Sequence, residues 1–429
     1  MPKKQSNREL DNRRRFVLTA VIVALSLLGD ALLYALLPSR PEAFGLRIWQ
    51  IGILLGANRF VRLLTNELAG RLVQRSHSNR PLYGAIVLGS LITASYALPI
   101  GFWGLLAARL AWGACWSLLR VEGYLAALNV STKRTRGRIF AVYQAITRIG
   151  QGGGVLIGGF LTDTIGIVPT FFIFGLGTLS GVILLSKTPK RPQPSPFASS
   201  RHSEEQSPIS PVYVPDTVTD PPEPVLKKVR SSLPILFASL APLWGCALTL
   251  PLTEQMVANL TGRLVAERIA PILPTSLGIT SLTGLLLGFR FFGALILSPL
   301  TGLAGDRIGR RSLLGILILL QACFIAGIAF FRTWPLLVVC LLLQFAAGNA
   351  VYLLIYTLAG DLALHSDRAL HMSRFSTFLD LGTSLGPIIG FAIYSRHGFV
   401  WVAVLAWLLI ATAFILLRRL SALSHEEVY

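Results

Sequence analysis

FVLTAVIVALSLLGDALLYALL, the stretch from Phe16 to Leu37, carries a single charged side chain, Asp30, in twenty-two residues. As a helix rising about 1.5 Å per residue, it is long enough to cross a hydrocarbon core of about 30 Å. The basic run MPKKQSNRELDNRRR precedes it, and no small-residue cleavage site follows. A retained first membrane helix is therefore expected, and not a signal peptide. Eleven further apolar runs follow as far as Leu420, several interrupted by glycine or by one charge. Membrane helices tolerate such interruptions where they face protein or a cavity. The composition agrees: 53% of the 429 residues are hydrophobic and 14% charged, against about 25% charged in an ordinary soluble domain. The mean hydropathy is +0.63. A soluble enzyme is excluded, and a multi-pass all-α membrane protein of twelve helices is expected.

Charge placement sets the topology. Twelve crossings put both termini on one side, and that side's tails and loops hold 27 of the 39 Lys and Arg, against six in the opposite loops. The positive-inside rule places the 27 in the cytoplasm, as expected of a plasma (inner) membrane protein. Topology thus accounts for the net charge of +19 without nucleic acid as a partner. Residues 188–231 hold 10 of the 24 prolines in runs such as KTPKRPQPSP. Such a segment cannot bury a core and reads as a disordered cytoplasmic linker. The chain divides into a tail (1–15), a six-helix bundle (16–187), the linker (188–231), a second six-helix bundle (232–420) and a short tail (421–429). Cys115, Cys246, Cys323 and Cys340 all lie in apolar runs without CxxC spacing. They read as small buried hydrophobes, with no metal or disulfide implied.

The two bundles repeat one another. With an offset of 232, LLGANRFVRLLTNELAGRL from Leu54 falls beside LLGFRFFGALILSPLTGLAGDR from Leu286, and Gly150, Gly154 and Gly158 match Gly382, Gly386 and Gly390. With an offset of 235, Arg109 and Gly113 match Gln344 and Gly348. Two pseudo-symmetric six-helix units are the simplest reading.

GLAGDRIGRR, Gly302 to Arg311, resembles the G-x-x-x-D-R-x-G-R-R signature of the major facilitator superfamily (MFS). RLAWG, Arg109 to Gly113, is similar to that family's R-x-x-x-G element, and RIGQGGGVLIGG, Arg148 to Gly159, resembles its glycine-rich antiporter element. The resemblance spans the chain outside the linker and tails. It implies the MFS-like fold and a coupling role for Arg109. It also implies a gating role for the loop residues Asp306, Arg307, Arg310 and Arg311, whose contacts bias one open state against the other. There are departures. Gln74 stands where the first-half copy of the signature would have aspartate, Val155 stands where antiporters commonly carry proline, and a Gly-Pro pair falls instead at Gly386 and Pro387.

Charges at bilayer depth cost about 2.5 to 3.5 kcal/mol on insertion scales and usually face the bundle interior. The acids so placed are Asp30, Glu122, Glu254 and Asp380; the bases are Arg59, Arg62, Arg109, Arg120, Arg148 and Arg290. At about 100° per residue, Arg109, Trp116 and Arg120 share a face flanked by Trp112. Gln144, Arg148 and Gln151 share another. Asp30 and Tyr34 lie one turn apart, and Asn349, Tyr352 and Tyr356 stack along one side. Asp30 with Arg109 as charge partner is the first candidate for proton coupling, against the alternative of a fixed ion pair that locks helices together. Glu122 faces away from Arg109 and suits a partner on another helix. Glu254 falls toward the outer helix end, where a loop-facing acid is as plausible as a cavity role. Asp380 falls near the inner end as a gate or cavity contact. Arg59 and Arg62 suit an anionic substrate or pairing with an acid such as Glu67. The glycine stripes and Pro387 read as close-packing surfaces.

The function expected is secondary transport of a small molecule by alternating access about a midplane site. Proton-coupled efflux is favoured, and a facilitator or importer of a sugar or organic anion is the nearest alternative. The arginine-rich interior leans toward an anionic or amphipathic cargo. The expected coupling ion is the proton, no cofactor is expected, and the chain is expected to act as a monomer. A receptor or assembly factor on the same scaffold would have lost its midplane polar residues, which this sequence keeps. A channel would show a symmetric filter or charged ring, and an ATP-driven pump a G-x-x-x-x-G-K-[ST] loop; neither is present.

Overall fold

The computed structural model describes residues 2–188 apart from His77, Lys133 and Arg134, together with residues 224–272, 278–362 and 368–426. Twelve long helices run through these residues. The first six are α1 (Pro2–Ser39), α2 (Ile48–Arg75), α3 (Arg80–Ser95), α4 (Gly101–Val130), α5 (Arg136–Ile165) and α6 (Ile167–Ser186). The second six are α7 (Pro224–Asn259), α8 (Ile279–Ile308), α9 (Arg310–Phe330), α10 (Trp334–Leu362), α11 (Arg368–His397) and α12 (Phe399–Glu426). Eight of them, among the described residues, are long and apolar enough to span a bilayer on their own composition. Of the others, α2 carries Arg59, Arg62 and Glu67, and α3 has only 16 residues. Large apolar side chains such as Trp103, Leu176, Ile183, Ile296 and Leu408 face outward, which suits lipid and not water. The chain is an all-α, multi-pass membrane protein.

The packing repeats itself. In the first half α1 packs on α5 and α6, α2 on α4, and α3 on α4 and α6; in the second, α7 packs on α11 and α12, α8 on α10, and α9 on α10 and α12. Each pair in one half thus has its counterpart six helices later. The halves meet along α5–α8 and α2–α11, which are themselves counterparts. The turns repeat too. Gly166, the single residue between α5 and α6, has φ +96°, and Gly398, between α11 and α12, has φ +76°. Only glycine enters that left-handed region without a steric cost, so each reversal is made with one residue.

Four boundaries differ from the expectations. The segment read as an N-terminal tail is helical from Pro2 and continuous with α1, and its last residue, Arg15, only 4% exposed, finds partners in Glu122 (3.9 Å) and Asn79 (3.0 Å). The linker's last eight residues, 224–231, are the first turns of α7. Proline suits a helix's first position, where its missing N–H is not needed. Residues 189–223 lie outside the described residues. The C-terminal tail is helical as far as Glu426. The signature's acid also proves helical, since α8 continues to Ile308 and carries Asp306 and Arg307, and the turn is confined to Gly309, φ +92°. Of the cysteines, Cys115, Cys246 and Cys340 are buried but Cys323 is exposed, on the outward face of α9 among lipid-facing residues.

The end of the molecule that bears the start of α1 and the end of α12 is termed terminal, and the opposite end distal. Toward the distal end the halves are closed on each other. A Cβ at Gly52 would lie 2.5 Å from the Pro387 carbonyl and one at Gly56 2.7 Å from the Ser384 carbonyl, while Gly284 packs on the Val155 carbonyl and Gly159 on Thr280. Asp163 at the end of α5 accepts Arg40 Nη2 (2.5 Å) from its own half. It also accepts the backbone N (2.6 Å) and Oγ (2.7 Å) of Ser281, in the first turn of α8 across the interface. A carboxylate at a helix N-terminus is well placed both as cap and against the helix dipole. Arg263 and Glu42 add a looser link at 3.6 Å.

Candidate functional site

Between the halves, from mid-depth toward the terminal end, lies a cavity of about 660 Å³. Its wall comes from α1, α2, α4 and α5 on one side and α7, α8, α10 and α11 on the other. Asp30, Tyr34, Arg59, Arg62, Trp116, Arg120, Arg148, Asn349 and Tyr352 all line it, as do Trp112, Glu254, Arg290 and Asp380.

Arg109 is placed differently from the other candidates. It is 1% exposed and lies behind the wall, not on it. Its Nη1 donates to Asp30, its Nε to the Leu54 carbonyl (3.0 Å) and its Nη2 to the Tyr34 hydroxyl (3.4 Å). Asp30 also accepts Asn58 Nδ2 at 3.1 Å. One charged group thus faces the cavity while its counter-ion is sealed in the bundle core, between α1, α2 and α4. A buried pair of this kind needs such additional hydrogen bonds to offset desolvation.

The second half has its own pair. Arg290 Nη2 reaches both oxygens of Glu254, at 2.7 and 3.0 Å, and Gln255 Nε2 donates to Glu254 at 2.9 Å. The alternative of a loop-facing Glu254 is thereby removed: α7 runs on to Asn259, keeping residue 254 a turn inside the wall. Asn349 Nδ2 fixes the backbone beneath this pair by donating to the Arg290 carbonyl (2.9 Å). Where the repeat puts Arg109 in the first half, the second half has Gln344. Its amide and that of Gln321 are buried without a hydrogen-bond partner among the described residues.

Four guanidinium groups remain without a carboxylate in ion-pair range among the described residues: Arg59, Arg62, Arg120 and Arg148. Arg59 donates to the Thr383 carbonyl across the interface at 3.3 Å. Arg120 lies 6.0 Å from the Tyr124 ring centre. The Nε of Arg62 is buried and unpartnered. Glu67 pairs with Arg71 at 2.5 Å, one turn further along α2, and not with Arg59 or Arg62. Trp112 and Trp116 are stacked, with centroids 5.7 Å apart and planes at 9°, and Tyr352 lies 5.1 Å from Tyr356. The remaining candidates lie elsewhere. Glu122 pairs with Arg15 inside the first half. Gly150 and Gly154 pack on the carbonyls of Ala24 and Leu28 of α1, Gly382 and Gly386 on those of Leu248 and Leu252 of α7, and Gly158 and Gly390 on Leu32 and Met256. Pro387 presents its carbonyl to Gly52. At the terminal end Arg310 bridges Asp306 (3.1 Å) and Asp361 (2.6 Å), joining α8, α9 and α10. Arg307 is exposed beside them, and Arg311 follows in the first turn of α9.

Asn58, Tyr124, Tyr143, Gln255 and Thr383 also line the cavity and were missed. Tyr124 is one turn beyond Arg120, Asn58 one turn before Arg62 and Thr383 one turn beyond Asp380, so helical spacing could have found all three. Tyr143 and Gln255 carry no such signal.

A sequence profile of the Major Facilitator Superfamily matches residues 19–267 and again 256–427. An uncharacterised MFS-type transporter of Escherichia coli, YcaD, is 29% identical over 159 residues, which is 37% of this chain and 41% of that protein. The match thus spans less than half of the relative's length. Among solved structures, a bacterial homologue of the human lysosomal transporter Spinster, in an inward-facing and unoccupied conformation, superposes with a TM-score of 0.71 at 14% identity, over 96% of this chain and 98% of that one. The nucleoside transporter NupG gives 0.69 at 12% identity, over 94% and 98%. The peptide transporter POT in complex with sulfate gives 0.67 at 14%, over 97% and 94%. At such identities these structures speak for the fold alone. With the profile matching along nearly the whole length, and paired bundles enclosing one cavity, the chain belongs to the Major Facilitator Superfamily of membrane transporters.

Proposed function

We propose that the chain is a proton-coupled secondary transporter carrying a small anionic molecule through this cavity by alternating access, with its termini in the cytoplasm. On that orientation the cavity opens to the cytoplasm and the distal contacts close the outer side. The observation that carries the reading is the Asp30–Arg109 arrangement. A proton that reaches Asp30 from the cavity discharges a carboxylate whose partner stays charged behind it.

The sign of the effect favours one sense of coupling. Neutralising Asp30 makes the cavity one charge more positive, and an anion about 8 Å away at an effective dielectric of about 20 gains about 2 kcal/mol. Proton and anion then reinforce each other's binding, which is the condition for moving together. This supports the organic-anion importer over efflux, because efflux by antiport needs cargo and proton to compete. Proton-driven efflux remains the second reading, favoured by the glycine-rich run of α5 and its resemblance to an antiporter element.

Purified protein in liposomes separates the two. With labelled organic anions and acid both outside, co-transport accumulates anion in the lumen, and antiport accumulates it only when the lumen is the acid side. Transport indifferent to either gradient would end the proton-coupled reading.

A further inference from the structure

The charges around the cavity specify more than the sign of the cargo. Two of its three acids are already committed: Asp30 to Arg109 and Glu254 to Arg290. Asp380, half-buried in the wall, has no cation within ion-pair distance among the described residues, although Arg59 and Arg62 are its electrostatic neighbours. Arg59 and Arg62 stand one turn apart on α2, and Arg120 on α4 is close enough to interact with Arg62. All three line the cavity that Asp380 also lines, so three guanidinium groups share a single uncommitted carboxylate. Arg148 on α5, in the same wall but beside the Glu254–Arg290 pair of the opposite one, adds a further positive charge. In a water-filled cavity open at one end this excess is tolerable. Once both ends close and water is lost, uncompensated charge is expensive, so the cargo itself must supply the balance.

Resting on the anionic reading above, we propose that the cargo carries at least two negative charges, and that Asp380 sets that number by neutralising one guanidinium of the Arg59–Arg62–Arg120 cluster. The chemical class is a compact organic molecule with two negative charges, such as a dicarboxylate or a doubly ionised phosphate monoester. A monoanion leaves the cluster with unbalanced charge. A zwitterion would use Asp380 for its ammonium group, and this is the competing possibility that the test must separate.

Binding to the purified full-length chain in detergent is measured by calorimetry with two matched sets of probes. The first is succinate, butyrate, 4-aminobutyrate and succinamide; the second is terephthalate, benzoate and terephthalamide. The expected result is a dianion bound at least tenfold more tightly than its matched monoanion, in at least one set, with affinity falling as salt rises. Arg62→Gln should weaken the dianion at least tenfold. Asp380→Asn should tighten it several-fold, an opposite effect that general misfolding does not produce. Monoanion or zwitterion binding as tight as the dianion, weaker dianion binding in Asp380→Asn, or no dianion binding at 10 mM would each overturn the proposal. Its failure is distinct from failure of proton coupling. Loss of dianion preference with gradient-driven flux intact refutes only the charge number, and flux that ignores pH with the preference intact refutes only the coupling.

Discussion

Replacing Arg109 by leucine strands a carboxylate. Asp30 is 6% exposed and would keep one hydrogen bond, from Asn58 at 3.1 Å. Removing one partner of a buried ion pair costs about 3–5 kcal/mol, and the bond to the Leu54 carbonyl is lost as well. Arg109→Leu alone should therefore destabilise the first half by about 4 kcal/mol. Adding Asp30→Asn removes the stranded charge, and the double variant should recover to a loss of about 1–2 kcal/mol, the cost of the remaining lost hydrogen bonds. The double-mutant cycle should then show a coupling energy of about 2 kcal/mol or more. Chemical unfolding in detergent micelles, followed by tryptophan fluorescence, measures all four corners. Costs that simply add, with coupling under about 0.5 kcal/mol, would refute the claim that the two charges form one unit. The same double variant bears on mechanism. It should fold but lose the dependence of transport on the pH gradient, whereas a pair that only locks helices leaves that dependence intact.

Asp163→Asn weakens charge-assisted hydrogen bonds to Arg40 and across the interface to Ser281; at about 1.5–3 kcal/mol for bonds to a charged group, the distally open population should rise about tenfold or more, read by spin-label distances between the two halves. Gly284→Val places a side chain against the Val155 carbonyl and should push α5 and α8 apart, lengthening the same distances; an unchanged distance would contradict the close-packed interface. Arg310→Gln removes solvent-screened contacts in which Arg310 is 38% exposed, so the unfolding midpoint should barely move, yet transport should slow several-fold if the bridge to Asp306 and Asp361 gates the cavity. A full transport rate in that variant would confine Arg310 to a surface contact.

Helix number, the two-bundle division and the repeat were legible because lipid allows little else: each apolar run of about 20 residues has to cross, and the offset of 232 that aligns Gly154 with Gly386 also aligns the turn residues Gly166 and Gly398. Most of the cavity wall was legible for a related reason, since arginine at bilayer depth has few places to go other than the interior. The depth of each side chain was not. Arg109 and Arg120 share a helical face, yet one is sealed by contacts to α1 and α2 and the other lines the cavity, a difference made by helix crossings and not by spacing. The choice between a loop-facing and a cavity Glu254 was open in the sequence, because its partner Arg290 comes from another helix, and so were the partners of Arg15, which come from α4 and the turn before α3. Asp163, the acid that caps α8 from the other half, sits at a helix end where sequence alone suggests a solvated residue.

Opposed movement of the two ends is the central claim, and one paired measurement tests it. With the four cysteines replaced, spin labels at Trp103 and Trp401 report the distal ends of α4 and α12, and labels at Leu72 and Ile308 the terminal ends of α2 and α8; all four side chains are exposed. Distances are recorded in lipid nanodiscs between pH 8 and pH 5, with and without an anionic cargo. Alternating access predicts that the distal pair lengthens as the terminal pair shortens. Two distances that stay fixed, or that change together in the same direction, would contradict it.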